Sequence, residues 1–183
     1  MRASKRVLLC LALTLLPGFA AAQQSDQVLA KRVLGPEWKQ LSRRAGMIFA
    51  GTVLAAAPQS AGTDRAVSGT TPTVQLSFHV DLAIAGVERG QVLTIHEWAG
   101  AWCLHRPMSK GQHILIFLYP LSRLGLTSPV AGSLGQIALD PSGKYVSKQE
   151  VYVRNQISAK GSVDTNTVSV VQLERAIRRA REE

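Results

Sequence analysis

Thr73-Val-Gln-Leu-Ser-Phe-His-Val-Asp-Leu-Ala-Ile84 is the stretch on which the reading of this chain turns. Its apolar residues, Val74, Leu76, Phe78, Val80, Leu82 and Ile84, recur at every second position, while Gln75, Ser77, His79 and Asp81 fill alternate ones. In an extended chain successive side chains point to opposite faces, so the pattern predicts a long strand with one buried and one wet face. Two more strand-like runs follow, Gln91–Glu97 and His113–Tyr119, the second apolar on both faces and stopped by Pro120. On the N-terminal side, Ala45–Ala55 carries hydrophobic groups on both faces with Gly51 past its middle. That predicts a doubly buried strand, bulged or kinked at the glycine. Short strands are predicted at Gln136–Leu139 and Lys144–Val146, across the turn Asp140-Pro-Ser-Gly143.

Outside this set the period changes. Between Gln23 and Arg44, Val28, Leu29, Val33, Trp38 and Leu41 fall at helix-like spacings broken by Gly35-Pro36. This reads as an N-terminal arm with one short helix that starts at Pro36. Near the other end, Ser169 with Gln172 three residues on matches a capping box. It opens an amphipathic helix at about 169–182, with Leu173, Ala176, Ile177 and Ala180 on one side and arginines on the other. About five strands with uneven loops predict a mainly β domain, a small antiparallel barrel that hides its edges by closing, with a sandwich as the alternative. A chain of 183 residues supports one such domain.

The first 22 residues read as a secretory signal peptide: basic Met1–Arg6, apolar Val7–Leu16, then Pro17-Gly18 before the small-residue site Ala20-Ala21-Ala22. The apolar run is too short for a membrane span, which needs about 20 residues. The expected division is therefore 1–22 signal peptide, 23–44 arm, 45–146 barrel and 147–183 C-terminal extension. Cleavage after Ala22 leaves 18 Lys+Arg against 12 Asp+Glu, a net charge of +6 instead of +9. Much of that excess sits at Arg175, Arg178, Arg179 and Arg181, read as a solvated helix face. One cysteine remains, Cys103, so no internal disulfide can form; the thiol is expected to be buried and inert. The expected location is the periplasm or the outside of the cell.

A resemblance enters with the order Ile48-Phe49-Ala50-Gly51-Thr52-Val53, then Phe78–Val80 leading into Ala83-Ile84-Ala85-Gly86, then Val92–Ile95, a cysteine, and Gly111–Phe117. This order resembles the netrin-like modules typified by tissue inhibitors of metalloproteinases, and small exported bacterial proteins of the same kind. The resemblance covers about Ala45 to Val146 and implies a five-stranded OB-like barrel. One element of that family is missing. Its inhibitory Cys-x-Cys N-terminus has no counterpart in Gln23-Gln24-Ser25, so protease inhibition by that wedge is not expected.

The chemistry-bearing residues concentrate in Glu97-Trp-Ala-Gly-Ala-Trp-Cys-Leu-His-Arg-Pro107. Trp98 and Trp102 either plug the end of the core or, with Arg106, form an anchor surface for a partner. His96, Cys103 and His105 carry the right atoms for a metal or redox site, but their spacing matches no ligand motif. Ala131-Gly-Ser-Leu-Gly135 approximates a nucleophile elbow around Ser133, yet the last histidine, His113, precedes it, against the order a hydrolase requires. The outward strand face, Gln75, Ser77, His79 and Asp81, lacks the basic and aromatic groups of a nucleic-acid groove. The expectation is an exported, non-enzymatic interaction module without a cofactor, whose partner is another envelope or secreted protein. The alternative is a metal-binding or redox accessory protein.

Overall fold

Strand β1 (Met47–Gln59) is the axis of the fold because both of its faces are apolar. The computed structural model describes residues 17–59, 72–103, 107–140, 144–145 and 168–183. β1 pairs antiparallel with β2 (Thr73–Ala85) on one side and with β4 (His113–Leu118) on the other. β3 (Val92–Trp98) extends the sheet beyond β2, and β5 (Gln136–Leu139), β6 (Lys144–Tyr145) and β7 (Val168–Ser169) extend it beyond β4. The order is β3-β2-β1-β4-β5-β6-β7, every pair antiparallel. The mainly β class is thus present. The sheet is open, with β3 and β7 at its ends and no ladder between them among the described residues.

One face of this sheet carries helices. α1 (Pro17–Leu34), α2 (Trp38–Arg44) and α4 (Val170–Glu182) cover Ile48, Ala50, Leu115 and Phe117 with Ala30, Trp38, Leu173 and Ile177. Ser169 caps α4 as the sequence predicts: its Oγ accepts from Val171 N at 3.3 Å, and its own N–H donates to Gln172 Oε1 at 3.1 Å. The arm holds two helices where the sequence predicts one: α2 is the short helix that follows Pro36, and α1 precedes it, running 18 residues through Ala20–Ala22 before Gly35 ends it.

Among the described residues no layer of long helices covers the opposite face, yet Phe49, Val53, Leu76, Phe78 and Ile116 on it are fully buried. A flat sheet would leave these side chains in water. They are covered because the sheet curls, so that β1, β2, β3 and β4 pack against one another around a second core, with Phe49 and Phe78 edge to face at 5.4 Å.

Bulges permit the curl. Gly51 pairs with Val80 and Ala50 with Leu82, leaving Asp81 as an extra residue in β2. The bulge corrects the simple alternation of the sequence. Val74, Leu76, Phe78 and Val80 line the curled core, but beyond Asp81 the faces exchange, and Leu82 and Ile84 turn toward the helices. Gly51 is required at this point because a Cβ there would lie 2.3 Å from His79 O.

Among the described residues one loop crosses the gap left by the open ladder. Residues 119–130 run from the end of β4 to the outer edge of β3: Val130 N donates to Phe117 O at 2.8 Å, and Thr127 N donates to His96 O at 2.9 Å. Isolated bridges at Leu118–Pro129 and His96–Leu126 mark the two banks of this seam.

Candidate functional site

The seam creates a pocket. Trp98 ends β3 and Tyr119 follows β4, strands separated in the ladder by β2 and β1. Curling brings these residues to opposite walls of a shallow cavity of about 350 Å3. Pro120 and Leu126 add apolar surface, and Ser122, Thr127 and Ser128 complete the loop side. The polar groups of this wall are largely engaged within the loop. Thr127 Oγ1 donates to Tyr119 O at 2.7 Å, Leu126 N donates to Ser122 Oγ at 3.1 Å, and Tyr119 N donates to Ser128 O at 3.0 Å. The remaining surface is uncharged and mostly apolar, suited to a hydrophobic side chain and unsuited to an ionic ligand.

The two tryptophans of the loop have separate fates. Trp102, in the single-turn helix α3 (Ala99–Trp102), packs against the curled core and is the plug. Trp98 is 48% exposed and is the surface residue. Its ring is held down by a neighbour without a side chain: a Cβ on Gly100 would lie 2.4 Å from Trp98 Cη2. The indole therefore lies against the backbone of α3 with its opposite side available. Arg106, the third expected contact, lies outside the described residues, as do His105, most of the signal segment (1–16) and residues 60–71 and 146–167.

The expected metal residues are only partly in view. His96 is half-buried on β3, and its carbonyl accepts from Thr127. Cys103 is exposed, which corrects the expectation of a buried thiol: α3 ends at Trp102, and Cys103 lies just past the turn that packs on the core. Among the described residues no three His, Cys, Asp or Glu side chains are gathered in a metal-binding group. Ser133 is exposed in a 3-10 turn, Gly132–Gly135, instead of a strand-to-helix elbow.

Two features escaped the linear reading. The bulge residue Asp81 accepts from Thr52 Oγ1 at 3.1 Å and is 2.8 Å from His79 Nδ1, while His113 Nδ1 lies 3.2 Å from Thr52 Oγ1. Thr52 pairs with His79 on one side and His113 on the other, so three strands bring these groups into one row. A periodicity argument places each residue on a face but not beside its neighbour.

The second feature is the basic helix. Its arginines are not simply solvated: Arg181 donates to Ser42 O and Ala45 O, Arg178 to Ala83 O and Glu174, and Arg175 pairs with Asp26 at 3.5 Å. Arg43 of α2 returns the contact at Ala180 O, 3.0 Å away. Each helix thus supplies a guanidinium to carbonyls at the C-terminal end of the other, where backbone acceptors lack intrahelical partners.

The described helices include none long and apolar enough to cross a membrane. The chain matches no protein-family model, and comparisons with curated proteins and with solved structures gave no match.

Proposed function

We propose that this is an exported, non-enzymatic interaction module with an OB-like body, which docks through the Trp98 pocket onto another envelope or secreted protein. One observation carries the reading: a half-exposed tryptophan is seated over a glycine beside an uncharged pocket that its own loop leaves empty. Tryptophan in such a setting is a favoured anchor at protein interfaces, because it offers a large rigid apolar area at low entropic cost. The pattern of the N-terminal 22 residues supports export, and the netrin-like resemblance supports the OB-like body. A hydrolase finds no support at Ser133, since no histidine follows it in the chain.

The basic C-terminal helix is not the docking surface in this reading. Leu173, Ala176, Ile177 and Ala180 are core residues, and Arg175, Arg178 and Arg181 are engaged with the body. The test is an affinity capture from native envelope and culture fluid, using protein expressed from the full coding sequence and purified as the cell processes it. Wild type is compared with Trp98→Ala and Gly100→Ala. A partner retained by wild type and lost by both variants supports the reading, the second because it displaces the ring without changing it. Equal recovery by all three, with thermal stability unchanged, removes the pocket from consideration.

A further inference from the structure

Accepting the pocket as the docking site, we infer that its partner presents an acidic, extended peptide segment bearing one bulky apolar side chain. The apolar anchor fits the space between Trp98 and Tyr119, and the carboxylates meet Arg123. The first half of the inference follows from the pocket, whose uncharged walls cannot stabilise a buried ion. Its volume of about 350 Å3 accommodates one large side chain and not a globular surface.

The second half follows from the turn beside it. Ser122 N donates to Leu126 O at 2.8 Å and Gly125 N to Ser122 O at 2.9 Å, closing a tight turn with Gly125 at φ +71°. This turn holds Leu124 at its tip, 80% exposed, with Leu121 also exposed at its base. Arg123 stands exposed between the two pocket residues Ser122 and Leu126, and no hydrogen bond or ion pair holds it among the described residues. The acid nearest the site in the chain, Glu97, is fully buried beneath the strand end. From Trp98 to Leu139, the span that supplies every pocket residue, there is no Asp or Glu, while Arg123 sits within the pocket loop itself. An acidic segment therefore meets no like charge from this span and gains from Arg123. A basic segment would be repelled. Leu121 and Leu124 extend the apolar contact beyond the pocket, as expected for a partner several residues long instead of a small molecule.

The experiment selects displayed random 12-residue peptides on the processed full chain and measures binding of the enriched peptides by fluorescence anisotropy. The expected consensus has one Leu, Phe, Trp or Met with Asp or Glu within two positions. Trp98→Ala should weaken such a peptide by at least about 30-fold, the scale of an anchor residue. Arg123→Glu should weaken it by about threefold to tenfold and Arg123→Lys by less, with affinity falling as salt rises. Enriched peptides that require Trp98 but are neutral or basic, or are indifferent to Arg123→Glu, overturn this inference and leave the docking site standing. Peptides indifferent to Trp98 overturn both. A third arm uses vesicles of phosphatidylglycerol and phosphatidylcholine. Co-sedimentation that depends on Leu124 and Arg123, without any peptide consensus, would reassign the surface to a bilayer and refute the peptide.

Discussion

Replacing Arg181 by Met separates a clamped helix from a solvated one. Arg181 Nη1 donates to Ser42 O at 2.7 Å and Ala45 O at 2.6 Å, both at the end of α2, where the helix has exhausted its own donors. Methionine keeps much of the apolar stem and removes the guanidinium, so packing is largely preserved. Hydrogen bonds to a charged group contribute about 1.5–3 kcal/mol when well shielded. Arg181 is exposed and water can replace it at the carbonyls, which reduces the expected loss to about 1–2 kcal/mol. For a domain of this size that is a fall in Tm of about 3–6 °C. The assay is thermal and urea unfolding followed by circular dichroism, with Arg44→Met as the control. Arg44 is exposed in the same region, and its loss should stay within about 0.5 kcal/mol. If Arg181→Met behaves like Arg44→Met, the arginines of α4 are a solvated face after all, and the reciprocal capping carries no weight.

Three further outcomes test other parts of the structure. Gly51→Ala should destabilise by about 1–3 kcal/mol in urea unfolding, because the added Cβ meets the His79 carbonyl at 2.3 Å and backbone cannot yield as a side chain does. Lys39, by hydrogen bond and charge, holds the Glu183 carboxyl below the usual carboxylate range. A depressed carboxylate stabilises above its unfolded pKa and loses that contribution as pH falls through the folded one. The stability gap between wild type and Glu183→Gln should therefore be constant near neutral pH and close in acid, in a pH series of urea midpoints; a gap that widens in acid would refute the contact. Cys103, exposed after α3, should react with a maleimide in the native protein as fast as in urea, read by mass spectrometry.

What the amino-acid sequence determined by itself is the central strands and the start of the last helix; α1, α3 and β7 were not located. Period-two alternation located β2, a strand-like run located β3, continuous apolar runs located β1 and β4, and Ser169 with Gln172 located the start of α4, because each signal depends only on neighbours in the chain. Tertiary structure decided everything that depends on which elements meet. One extra residue, Asp81, exchanges the faces of β2, and alternation carries no trace of it until β1 supplies the register. Composition could not divide Trp98 from Trp102, since the division depends on α3 aiming one ring into the curled core and leaving the other over Gly100. The arginines of α4 looked like a wetted stripe because their acceptors, the carbonyls of Ser42, Ala45 and Ala83, lie about a hundred residues away or more. The pocket itself has no linear signature. Trp98 and Tyr119 share it only because the sheet curls and one loop bonds to both banks of the seam, a consequence of covering an apolar face that, among the described residues, only the single turn α3 reaches.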